Sequence, residues 1–119
     1  MRTPIAMGKI AADGTILKAT PGITVNREIT KGVLYGVNDD EDIGYKVILP
    51  DRLVSDGNYI VQLTTEIYEE DQDFVYTIIG LRYQSIRGFD VIIWANRAQT
   101  GRPIVPVYVP WHFVIYDIK

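Results

Sequence analysis

Apolar side chains in this chain recur with a period of two, and Gly, Pro, Asn or Asp interrupts them every few residues. No window of a dozen residues holds a 3.6-residue period free of Gly, Pro or β-branched runs. Long amphipathic helices are therefore excluded, and a doubly wound α/β fold with them. Pleated sheet is left as the way to bury the apolar residues. The fullest example is "VPVYVPWHFVIYDIK", Val105 to Lys119. Val107, Val109, Trp111, Phe113 and Ile115 fall on one face, and Tyr108, Pro110, His112, Val114 and Tyr116 on the other. The first face is dry. The second mixes Tyr, His and Val, which suits partial cover by another sheet or a sister subunit. Pro106 and Pro110 cannot donate to a ladder, so they require an edge, a bulge or a strand start. Five large inward side chains would be costly to leave loose, so this end is expected to be tied into a sheet.

The same period marks the other strands. "GKIAADGTIL" sets Asp13-Gly14 between two apolar segments, a hairpin signal. Pro21-Gly22 is a turn, and Ile23, Val25 and Arg27 follow on one face. "IGYKVILP" turns Tyr45, Val47 and Leu49 inward and stops at Pro50; "NYIVQLTTEIY" does the same with Tyr59, Val61 and Leu63. These two are expected to be neighbouring antiparallel strands, with a turn of 3₁₀ near "DRLVS" between them. "DFVYTIIGL" and "GFDVIIWANR" add two more strands, the second with Phe89, Val91 and Ile93 on one side. Seven or eight strands at this spacing predict an all-β, jelly-roll-like antiparallel β-sandwich. Residues 1–7 are expected to be an N-terminal arm and 8–119 a single sandwich domain.

At 119 residues the chain is long enough for one domain with its own core, and it has no cysteine for disulfides or thiolate metal sites. Its twelve Lys and Arg residues are scattered and its net charge is −3, a poor basis for binding nucleic acid. No stretch reaches the twenty or so apolar residues of a membrane span, and "MRTPIAMGKI" lacks the apolar centre of a signal peptide. No membrane insertion and no Sec export are expected.

No catalytic motif stands in the sequence, so the chain is not expected to be an enzyme. The acidic runs "NDDEDIG" (Asn38 to Gly44) and "EEDQD" (Glu69 to Asp73) lack the spacing of a calcium loop and read as solvated loops; no metal is expected. His112, the only histidine, reads as a packed strand residue, and no G-x-G-x-x-G or G-x-S-x-G occurs. No cofactor is implied. The candidate ligand-binding residues are Tyr83 and Arg87 before one strand, and Trp94, Asn96, Arg97 and Arg102 at its close. These side chains stack on sugar rings and hydrogen-bond hydroxyls or carboxylates. The two groups flank opposite ends of one strand, and the Trp94 group is the better half. The alternative reading makes Trp94 an ordinary outer-face aromatic.

The ordered set "GKIAADGTI" (Gly8 to Ile16), "GYKVILP" (Gly44 to Pro50), "GNYIVQLT" (Gly57 to Thr64), "GFDVII" (Gly88 to Ile93) and "GRPIVPVYVPWHFVIYDI" (Gly101 to Ile118) resembles the C-terminal receptor-binding tips of bacteriophage tail fibres and tail-needle knobs. The resemblance implies a homotrimer on a virion, extracellular when functioning. It implies an N-terminal fibre or virion component as one partner and a host cell-surface glycan or protein as the other. Tyr108, Val114, Tyr116 and residues before Ile16 are then expected to meet sister chains. The alternatives are a structural virion module, such as a head fibre or capsid decoration, and a bacterial carbohydrate-binding module or sandwich hydrolase.

Overall fold

The computed structural model describes residues 3–31, 41–66, 74–97 and 105–117. These hold nine strands: β1 (Ala6–Ile10), β2 (Ile16–Ala19), β3 (Thr24–Lys31), β4 (Glu41–Ile48), β5 (Ile60–Thr65), β6 (Phe74–Ser85), β7 (Gly88–Arg97), β8 (Val105–Pro106) and β9 (Trp111–Tyr116). No helix occurs among the described residues. One sheet has the order β2-β1-β9-β5 and the other β3-β4-β7-β6, with the two-residue β8 beside β7; every pairing is antiparallel. The chain is thus an all-β antiparallel sandwich. β1 opens at Ala6, inside the stretch expected to be an arm, and Ile5 N already donates to Ile115 O at 2.9 Å.

The inward faces follow the alternation. Val107, Val109, Trp111, Phe113 and Ile115 are buried, and so are Tyr45, Val47, Leu49, Phe89, Val91 and Ile93. Burial of each such large side chain contributes roughly 1.5–3 kcal/mol. Aromatic contacts join the sheets: Tyr45 and Trp111 ring centroids lie 5.2 Å apart, and Phe89 and Phe113 meet edge to face at 5.8 Å. β9 lies in the middle of its sheet, between β1 and β5. The greasy terminal run is therefore core, reached from the other sheet by a corner between Pro106 and Trp111. Pro106 sits in β8, which pairs only with β7, and Pro110 precedes the first residue of β9, positions that need no amide donor. Tyr108, expected to want cover from a neighbour, finds it within the chain. Its ring meets Tyr45 edge-on at 5.5 Å, its hydroxyl donates to Glu28 O at 2.9 Å, and the Arg27 guanidinium lies 4.6 Å over it.

Two expectations change. The strands with Tyr45 and with Tyr59 are not neighbours, because β4 and β5 belong to opposite sheets. Alternation sets which side chains point inward, and both strands do point inward, but from opposite sides of the core. The connection between them crosses the sandwich and buries Val54. "DRLVS" forms a turn closed by Leu53 N on Pro50 O at 3.3 Å, not a 3₁₀ helix, with Arg52 at φ 67°. The β1–β2 hairpin expected about Asp13-Gly14 is present, closed over the loop Ala11 to Thr15. Ala11 N donates to Thr15 O and Gly14 N to Ala11 O, both at 2.9 Å, with Gly14 at φ 92°. That is a tight turn ending in a left-handed glycine, the arrangement of longer hairpin loops. Asp13 Oδ1 accepts from Thr15 N at 2.9 Å, and this bond holds the exposed carboxyl below its ordinary pKa.

Candidate functional site

The sandwich has two unlike ends. At the turn end lie the β6–β7 turn, the Thr20–Ile23 turn, the Pro50–Asn58 connection and the first and last described residues. Register fixes this placement, since Thr24 opposes Ile48, Ile48 opposes Gly88, Ser85 opposes Gly88, and Ile60 opposes Tyr116. At the opposite end stand the β1–β2 turn and the strand ends Lys31, Glu41, Thr65, Phe74 and Arg97.

Tyr83 and Arg87 belong to the turn end. Between Arg82 and Ser85, β6 carries one residue more than β7, because Arg82 opposes Asp90 and Ser85 opposes Gly88. The bulge falls at Tyr83, whose φ is 55°, and such a bulge re-aims the residues that follow. Gln84 consequently turns toward the crossing connection and donates from Nε2 to Gly57 O at 3.0 Å and Tyr59 O at 2.6 Å. Tyr83 is left 73% exposed, with the Arg82 guanidinium 4.9 Å over its ring. Arg87 is exposed in the turn, while its carbonyl accepts from Leu49 N at 2.8 Å and its amide donates to Ser85 Oγ at 3.1 Å. Tyr59 completes the clamp by donating from its hydroxyl to Ser85 O (2.8 Å) and Gly88 O (3.1 Å). Burial pushes that phenol up to about 12.

The Trp94 half lies at the other end of β7. Trp94 is half-buried on the outer face, opposite Ile78 on β6 and Pro106 on β8. Asn96 and Arg97 are placed by backbone alone, as the last two residues of β7. Arg102 lies outside the described residues. The β7 residues between the turn and Trp94 hold the two halves roughly 15–20 Å apart along the strand, so one chain does not bring them together.

The acidic runs fall largely outside the described residues, at Asn38 to Asp40 and Glu69 to Asp73; Glu41 to Gly44 form the start of β4. No group of three or more His, Cys, Asp or Glu that could hold a metal occurs among the described residues. Ser55 is engaged with Asp117, donating from N at 2.8 Å and from Oγ at 3.2 Å.

Sequence reasoning missed a basic row on the outer face of the other sheet. Lys9 opposes both Lys18 on β2 and His112 on β9. In the sequence these residues look scattered, although Lys9 and Lys18 stand symmetrically about the Asp13-Gly14 turn, which was the available signal. His112 is a strand residue on this outer face, half-buried, between inward Trp111 and Phe113. No family model, curated protein or solved structure matches the chain.

Proposed function

We propose that the chain is the receptor-binding tip of a phage tail fibre or similar attachment protein, a homotrimer that recognises a bacterial surface glycan or protein without catalysis. One observation carries the reading: the sandwich is polar. Ile5, hydrogen-bonded to Ile115, and Asp117, bonded to Ser55, lie at the same end, so a component joined through the chain's ends would be met there. The opposite end is then the one turned away from the assembly, and Trp94 stands on β7 toward it. A rigid sandwich with side chains for recognition at one end is a common plan for binding proteins. The sequence resemblance to tail-fibre tips implies attachment through loops at the far end, in keeping with this orientation. Trp94, Asn96, Arg97 and Arg102 are the receptor contacts in this reading, and Tyr83 and Arg87 face the assembly.

The test is binding to a glycan array and to a panel of intact bacteria. Trp94→Ala should weaken binding by roughly 1–3 kcal/mol, the cost of losing an aromatic anchor, while Tyr83→Ala leaves it unchanged. Loss with Tyr83→Ala alone would reverse the orientation. A folded wild-type protein that binds no surface would leave a structural virion module as the better reading.

A further inference from the structure

The outer face of the β2-β1-β9-β5 sheet holds a trough of about 530 Å³. Met7 and Val114, opposite each other on β1 and β9, supply apolar walls, and Met7 is 51% exposed. Lys9, Lys18 and His112 also line it, and they are the basic row that register sets side by side on three adjacent strands. Like charges directly opposite one another on a sheet are destabilising, so such a row calls for counter-charge. The fold supplies it in part. Lys9 Nζ lies 3.2 Å from Glu66 Oε1, an ion pair that reaches across β9 and walls the trough on that side. Lys18 has no ion pair among the described residues.

We infer that this trough binds a single-chain amphiphile, with its anionic head on Lys18 and its acyl tail along Met7 and Val114. Two features fix the class. The basic row, with one carboxylate against two lysines, selects an anion in a chain whose own net charge is −3. The side chains beside it, Met7 and Val114, are aliphatic, and the Phe113 ring that also borders the trough is buried on the core side, which suits an alkyl chain better than a sugar ring. The volume matches a small ligand, and monomeric amphiphile is the source that fits a trough closed on one side by the Lys9–Glu66 pair. The site does not depend on the attachment reading, since it lies on a sheet face and uses none of the receptor contacts.

Decanoate is the probe, with acetate, decanol and anionic phospholipid vesicles as controls, followed by calorimetry and by NMR of the Met7 methyl group. Saturable decanoate binding that shifts Met7, fades with added salt and is absent for acetate is the expected result. Lys18→Glu should weaken it by roughly tenfold, as for loss of a charged hydrogen bond, and Met7→Ser should weaken it too. Both sites are exposed, so melting temperature should hold. Equal binding of decanol, or wild-type affinity in Lys18→Glu, would overturn the anionic head. Binding to vesicles but not to monomeric decanoate would overturn the site as described. A fall in particle mass on Met7→Asp would show the face to be covered by a second copy, which also overturns it.

Discussion

The turn end and the opposite end of this sandwich are built from the same strands yet held by different means. At the turn end, side chains and backbone of distant segments bond to one another: Gln84 to Gly57 and Tyr59, Tyr59 to Ser85 and Gly88, Leu49 to Arg87, Ser55 to Asp117. Toward the opposite end, Tyr45 Oη donates to Ala12 O at 2.6 Å and the Thr65 and Thr77 hydroxyls pair at 2.6 Å. The first is a network closing over a buried hairpin root; the second consists of separate clasps. Networked polar groups are costly to break because each loss leaves a buried partner unpaired. Substitutions should therefore cost more at the turn end than chemically identical ones at the other.

The largest expected contrast is between glycines. Gly88 has φ 147°, and a Cβ there would overlap Val47 O, a backbone atom of the neighbouring strand that cannot swing away. Gly14 has φ 92° with 3.1 Å to the Arg27 Cβ. Gly88→Ala should lose more than about 4 kcal/mol or fail to fold, while Gly14→Ala loses roughly 1–2 kcal/mol, the left-handed backbone penalty. Urea unfolding measures both, and similar losses would end the idea that the two ends differ in rigidity.

Tyrosine hydroxyls give the next contrast. Tyr59→Phe leaves two carbonyls without their shared donor and should cost about 1.5–3 kcal/mol; Tyr45→Phe frees only the Ala12 carbonyl, in a surface turn, and should cost about 1 kcal/mol. A reversed order would place the tighter network at the opposite end.

Alkali tests the same groups without mutation. Burial raises both phenols above their ordinary value, Tyr59 to about 12 and Tyr45 further. A raised folded pKa means that the native state holds its proton where the unfolded chain has lost it. The stabilisation is complete below pH ~10 and is lost as pH rises toward about 12 and beyond. Stability should fall over that window, and Tyr59→Phe should flatten the fall. A flat profile from pH 10 to 12 would contradict the buried, hydrogen-bonded state of these phenols.

The smallest effect is at Tyr83. Its left-handed backbone favours glycine and its ring is mostly exposed, so Tyr83→Gly should gain up to about 1 kcal/mol. A loss instead would show that the ring's stacking with Arg82 holds the bulge, and with it Gln84, in place.

The candidate site was legible in part. Hairpin order sets Tyr83 by the β6–β7 turn and Trp94 toward the other end, but Trp94 falls inside β7, three residues before its end, not at its close. The bulge that strains Tyr83 and turns Gln84 inward was not legible, since one extra residue in β6 is defined only against its partner β7.

The alternation of apolar residues is local. It determined without help that Tyr45, Val47, Phe89, Val91, Trp111 and Phe113 point into the core, because the pleat sends successive side chains to opposite faces. The same local rule is blind to partners. It cannot tell a strand facing the core from one sheet from a strand facing it from the other, which is why β4 and β5 read as neighbours. It cannot show that His112, most of the chain away, joins Lys9 and Lys18 in one row. Only the tertiary structure decided these matters, because pairing and register are chosen by packing between distant segments.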